Sequence, residues 1–146
     1  MPLRFPPRRE PRVLALVRSR DGFHYATADP WELRCAGLVA CHGRALSASV
    51  ARLVRREKPT LLVTGSPSLR VPVRRAARQH GIGVAVGDLP KLRRDVARQM
   101  YPELPMRAPT RDLDRVATLA ISAVLYAETP PRRYAPTRHR PPEHAA

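Results

Sequence analysis

Lysine is almost missing from this chain: only Lys58 and Lys91 stand among its 27 basic residues, and the rest are arginine. Acids are also scarce, with 12 Asp plus Glu, so the formal net charge over 146 residues is +15. Two cysteines cannot build a disulfide scaffold, and nothing about them points to an oxidising compartment. The longer apolar runs, at 13–17 and at 119–127 with Ser122 inside it, fall well short of the ~20 residues a bilayer-crossing helix needs. That excludes a helical integral membrane protein. The opening Met1-Pro2-Leu3-Arg4-Phe5-Pro6-Pro7-Arg8-Arg9 has no long apolar stretch behind its charges, so no signal peptide is expected and a cytoplasmic location is the default. A glycine-rich phosphate loop is missing too. Gly81 and Gly83 precede a strand instead of joining strand to helix, so a dinucleotide-binding reading fails.

What remains is a soluble, single-domain composition, 43% hydrophobic and 27% charged. Heavy use of arginine, alanine and proline is partly what a GC-rich genome writes, but acids also have GC-rich codons and are depleted here. A pI near 11.5 is the electrostatic footprint of a nucleic-acid partner, because neutralisation of phosphates dominates such affinity. An anionic membrane surface or an acidic protein partner is the alternative.

Both ends read as arms. Residues 1–11 and 129–146 mix proline with arginine, without hydrophobic periodicity, and cannot bury enough apolar surface to offset chain entropy. A folded domain is expected over 12–128. Residues 12–18 form a β-branched and aliphatic run, Asp21-Gly22 signals a hairpin turn, and 23–28 is the returning strand. A third strand is expected over 31–38, with Leu33 and Cys35 on one face. Leu46, Val50, Leu53 and Val54 make a helical stripe near 45–57 that Pro59 stops. Residues 60–64 and 82–86 read as buried parallel strands, separated by a helix with Pro72 in its first turn and Gly81 at its end. A basic helix over 90–101 follows, then a rigid linker marked by Pro102, Pro105 and Pro109. A final helix starts after the N-cap Thr110 and runs through Leu125. This order predicts an α/β fold: a mixed five-stranded sheet, a three-strand meander followed by right-handed βαβ crossovers, flanked by helices. It is the order of the ribonuclease H-like fold.

Over about residues 12–127 the sequence resembles the RuvC-type Holliday junction resolvases and their YqgF-type relatives. The resemblance rests on Val84-x-Val86-x-x-Leu89-Pro90, the basic pair Arg93-Arg94, then Val96 and Met100, and on Asp114-Arg115-Val116-Ala117-Thr118-Leu119-Ala120. Val63-Thr64-Gly65-Ser66-Pro67 is similar to the YqgF branch. The resemblance implies two divalent metals held by carboxylates from the first strand, the fourth strand and the last helix, which together cleave a phosphodiester. It also allows a homodimer. Here the first-strand carboxylate position falls on Val17, the fourth-strand one on Thr64 or Gly65, and the last-helix pair on Arg111 and Asp114. One ligand remains, which implies no metal cofactor and a catalytically degenerate centre.

The alternative is an active, Mg²⁺-dependent endonuclease with a site rebuilt from Asp88, Asp112 and Asp114. Against it, Asp112 and Asp114 also suit the first turn of a helix, where acids favour the helix dipole. Cys35, Cys41 and His42 with His24 or His80 do not complete zinc spacing, so two half-buried structural cysteines are expected. Phe23, Tyr25 and Trp31 offer little base stacking, since Phe23 and Tyr25 alternate like strand core residues. The expected backbone-gripping residues are Arg52, Arg55, Arg56, Arg74, Arg75, Arg78, Lys91, Arg93, Arg94 and Arg98, with too few acids present to neutralise them. The expected partner is therefore DNA or structured RNA, placing a DNA-bound protein at the nucleoid. A protein-interaction module for an acidic partner is the remaining reading.

Overall fold

The computed structural model describes residues 11–87 and 93–127. Strands β1 (Val13–Ser19), β2 (Gly22–Ala28) and β3 (Leu33–Ala40) run antiparallel in succession. Strands β4 (Leu61–Thr64) and β5 (Gly83–Val86) then add in parallel beside β1, giving the sheet order β3-β2-β1-β4-β5. The meander followed by parallel crossovers is the predicted architecture. The predicted arms, apart from Pro11, lie outside the described residues.

The β1–β2 turn shows why glycine follows Asp21. Gly22 has φ of +154°, and a Cβ built there would stand 1.9 Å from the Val39 carbonyl oxygen. Any side chain at 22 would therefore strike the backbone of β3.

Strand β1 is covered on both faces, which is why it reads as a continuous apolar run. Leu14 and Leu16, with Phe23 and Leu62, face helices α1 (Ala45–Glu57) and α2 (Arg70–His80). Val50, Leu53 and Val54 are the buried stripe of α1, as their spacing predicted. Helix α1 ends at Lys58 in a left-handed conformation before Pro59, and α2 ends at Gly81 with φ of 63°. On the other face Val13, Ala15, Ala26, Ala28 and Val63 pack against α5 (Arg111–Ala127). Alanines stand on both sides of that contact, Ala117, Ala120 and Ala123 on the helix, so the helix lies close to the sheet. Helices α3 (Arg94–Met100) and α4 (Leu104–Arg107) join the same layer through Ala97, Tyr101 and Leu104.

Four expectations change. Strand β3 begins at Leu33 and leaves Trp31 74% exposed in the preceding loop. Leu33 and Cys35 do not share a face: a bulge lets Thr27 pair with Cys35 and Ala28 with Leu33, with Arg34 unpaired between them. Leu33 enters the α5 layer, while Cys35 turns with Thr27 toward Glu57 of α1. β5 is a sheet edge rather than a buried strand, with Gly83 and Val84 exposed. The proline-marked linker contains α4, whose Pro105 occupies the first turn, where its missing N–H costs no hydrogen bond.

Candidate nucleic-acid interface

The parallel pairing of β1 with β4 fixes what the ends of these central strands present. Leu16 pairs with Thr64, and Val17 is half-buried on the α5 side with Val13 and Ala15. Thr64 is fully buried and donates its hydroxyl to the Leu16 carbonyl at 2.8 Å, accepting in turn from the Ser66 N–H at 3.1 Å. The Ser66 hydroxyl accepts from the Arg18 N–H at 2.9 Å. Hydroxyls therefore knit the strand ends together. Thr64 is committed to backbone, so the outward position after β4 is Gly65, which is exposed and has no side chain.

Asp114 sits one turn into α5, buried, at a shallow cleft of about 250 Å³. The cleft is lined by Arg94 and Arg98 of α3, by Pro105, Ala108 and Pro109, and by Thr110, Arg111 and Asp114. Thr110 caps α5 as predicted, its hydroxyl accepting from the Leu113 N–H at 3.3 Å. One Asp114 oxygen lies 2.6 Å from Arg94 Nε but makes no aligned hydrogen bond, so the contact is an ion pair without directional bonding. Arg111 stands one helical turn before Asp114, on the same side of α5. Asp112 is exposed and is not among the cleft-lining residues. Residues two apart on a helix do not share a face, so Asp112 does not join Asp114 as the rebuilt-site expectation required. Asp88 and Lys91 lie outside the described residues.

Divalent cations of the nuclease type require several converging oxygen ligands. No group of three or more His, Cys, Asp or Glu is assembled among the described residues. Where the resemblance implies strand carboxylates stand Val17 and Thr64 or Gly65, and Asp114 is already paired with a guanidinium. These residues do not fit a two-metal centre.

The cysteines are accounted for without a metal. Cys35 contacts the Thr27 hydroxyl at 2.8 Å and donates to Glu57 Oε1 at 3.3 Å, and burial pushes its thiol pKa up. A thiol held in its protonated form is a poor nucleophile. Burial alone would raise the Glu57 pKa, but hydrogen bonds from Arg56 and Cys35 outweigh it and leave the carboxyl below its usual range.

The predicted basic residues separate into two groups. Arg52, Arg55 and Arg56 on α1 and Arg74, Arg75 and Arg78 on α2 are exposed over one face of the sheet. Arg93, Arg94 and Arg98 are exposed in the α5 layer on the other. Arg56 is engaged with Glu57 at 2.8 Å and with the Tyr25 hydroxyl at 2.9 Å, and Arg93 with Asp95 at 2.8 Å. Arg52, Arg55, Arg74, Arg75, Arg78 and Arg98 form no ion pair with a described carboxylate. Arg111 lines the cleft although it is not among the expected backbone-gripping residues. The signal was its three-residue spacing from Asp114.

No protein-family model matches the sequence, and no curated protein matches it. Among solved structures, RuvC of Thermus thermophilus matches with a TM-score of 0.57 at 12% identity, over 80% of this chain and 94% of that one. The fold is ribonuclease H-like. A mutant nuclease domain of the large terminase subunit of bacterial virus Sf6, with manganese, aligns over 82% of this chain and 58% of its own at 12% identity. Its TM-score is 0.41. Within the ribonuclease H-like sheet, the residues at the ends of β1 and β4 and at the start of α5 are those described above. No helix among the described residues is long and apolar enough to cross a membrane.

Proposed function

We propose that this chain is a catalytically degenerate, RuvC-like nucleic-acid-binding protein that grips the backbone of branched or structured DNA, or of structured RNA, through arginine. One observation carries the reading. Where this fold would need converging carboxylates, the chain has Val17, Gly65 and an Asp114 paired to Arg94, inside a cleft lined by further arginines. Guanidinium groups suit phosphate oxygens geometrically and stay charged at any physiological pH. The exposed arginines of α1 and α2 supply a second basic surface. Backbone contacts of this kind position a protein on nucleic acid without reading its bases.

The test is a gel shift and a cleavage assay run together on a four-way junction and a matched linear duplex, with and without Mg²⁺ or Mn²⁺. The reading expects binding that needs no divalent metal, falls steeply with salt, and is accompanied by no strand scission. Metal-dependent nicking that disappears in Asp114→Asn would make the chain an endonuclease and overturn degeneracy. Absence of binding to either substrate would favour an acidic protein partner.

A further inference from the structure

The cleft beside Asp114 carries more guanidinium than carboxylate. Arg94, Arg98 and Arg111 line it from two helices, against the single buried carboxylate of Asp114. Arg94 is the one tied to that carboxylate, at 2.6 Å, with its side chain still 54% exposed at the cleft mouth. Arg98 and Arg111 are exposed and form no ion pair with a described carboxylate. At about 250 Å³ and open to the surface, the cleft is large enough to admit an oxyanion. Thr110 and Arg111 at the α5 N-terminus border the same space, where Asp112 and Asp114 of the first turn already offset the helix dipole.

The geometry points to a phosphate-binding subsite in which Arg94, Arg98 and Arg111 hold one backbone phosphodiester directly, with no bridging metal. Asp114 is a positioning residue: its buried carboxylate fixes Arg94 at the cleft wall and has no contact with the phosphate. The inference rests on the nucleic-acid reading and adds to it the place where a strand is held. It also gives the buried Asp114 carboxylate a task, since Arg94 is the guanidinium that it holds.

The test is fluorescence anisotropy of a labelled duplex across a salt series, in EDTA and again in Mn²⁺, comparing the full chain with Arg98→Ala/Arg111→Ala. Both residues are exposed, so melting by circular dichroism should be unchanged. Loss of one phosphate contact flattens the log–log salt slope by about 0.9, and affinity at low salt should fall tenfold or more. Mn²⁺ should not tighten binding. As a charge-matched control, Arg20→Ala/Arg44→Ala removes two exposed arginines to which the nucleic-acid reading gives no role, and should leave the salt slope unchanged. If Arg98→Ala/Arg111→Ala changes the slope no more than this control does, the cleft is no subsite although the protein binds nucleic acid. If the parent binds no duplex, calorimetry with pyrophosphate decides: heat lost in Arg98→Ala/Arg111→Ala keeps the cleft as a site for free phosphates and discards the nucleic-acid reading. No heat from the parent overturns both.

Discussion

Three hydrogen bonds strap the α3–α4 segment, which carries two of the cleft arginines, onto the far end of the meander. The buried Tyr101 hydroxyl donates to the Asp29 carbonyl at 2.7 Å, Glu103 Oε1 accepts from the Leu33 N–H at 2.8 Å, and Arg107 donates to the Arg34 carbonyl at 2.7 Å. Tyr101→Phe keeps the ring, which is 2% exposed, and removes only the hydroxyl. Loss of a buried neutral hydrogen bond with its acceptor left short costs about 1–2 kcal/mol. For a domain of this size roughly 3–6 °C of melting temperature accompanies each kcal/mol, so the midpoint should fall by about 3–12 °C. Glu103→Ala strips the acceptor from the N–H of the fully buried Leu33 and should cost about 2 kcal/mol, whereas Glu103→Gln keeps an acceptor oxygen and should cost less than half of that. Because Tyr101 and Glu103 hold the same loop, the double variant should depart from additivity by about 0.5 kcal/mol or more. Thermal melts followed by far-UV circular dichroism measure all of this. Midpoints for Tyr101→Phe and Glu103→Ala that both stay within about 1 °C of the parent would refute the strap.

Ile121 is wholly buried between α5 and the sheet, so Ile121→Ala should destabilise by about 2–5 kcal/mol in urea denaturation; a cost under about 1 kcal/mol would mean α5 does not seat as described. Gly22→Ala should prevent recovery of folded protein, because the new Cβ meets the Val39 carbonyl; a soluble variant of near-parent stability would contradict the β2–β3 register. Asp29 accepts from the Trp31 and Glu32 N–H groups, each at 2.9 Å, and from Arg34 at 3.2 Å. Burial raises its pKa, but those bonds outweigh it and leave it below 3.8. Its contribution is therefore complete above the unfolded value near 3.8 and lost as pH falls through the lower folded value. Asp29→Asn should flatten stability against pH in that acid window alone, and an unchanged acid limb would show the carboxylate is not held.

The amino-acid sequence determined most of the architecture, because its signals are local. Asp21-Gly22 marks the hairpin, the Leu46, Val50, Leu53 and Val54 stripe marks α1, Thr110 caps α5, and the β-branched and aliphatic run at 12–18 marks β1. Boundaries failed where packing overruled pattern. The bulge beside Arg34 sends Cys35 away from Leu33, and α4 forms among prolines because Leu104 finds a buried site and Pro105 falls in the first turn. That Val17 and Gly65 carry no carboxylate was legible too, because side-chain chemistry is read directly from the sequence. The cleft was not. Arg94 and Arg98 are 20 and 16 positions from Asp114 in the chain, and only the packing of α3 on α5 brings all three to one cleft. Charge could be counted in sequence, but the local surplus beside a single acid is a property of three-dimensional proximity, and tertiary structure alone decided it.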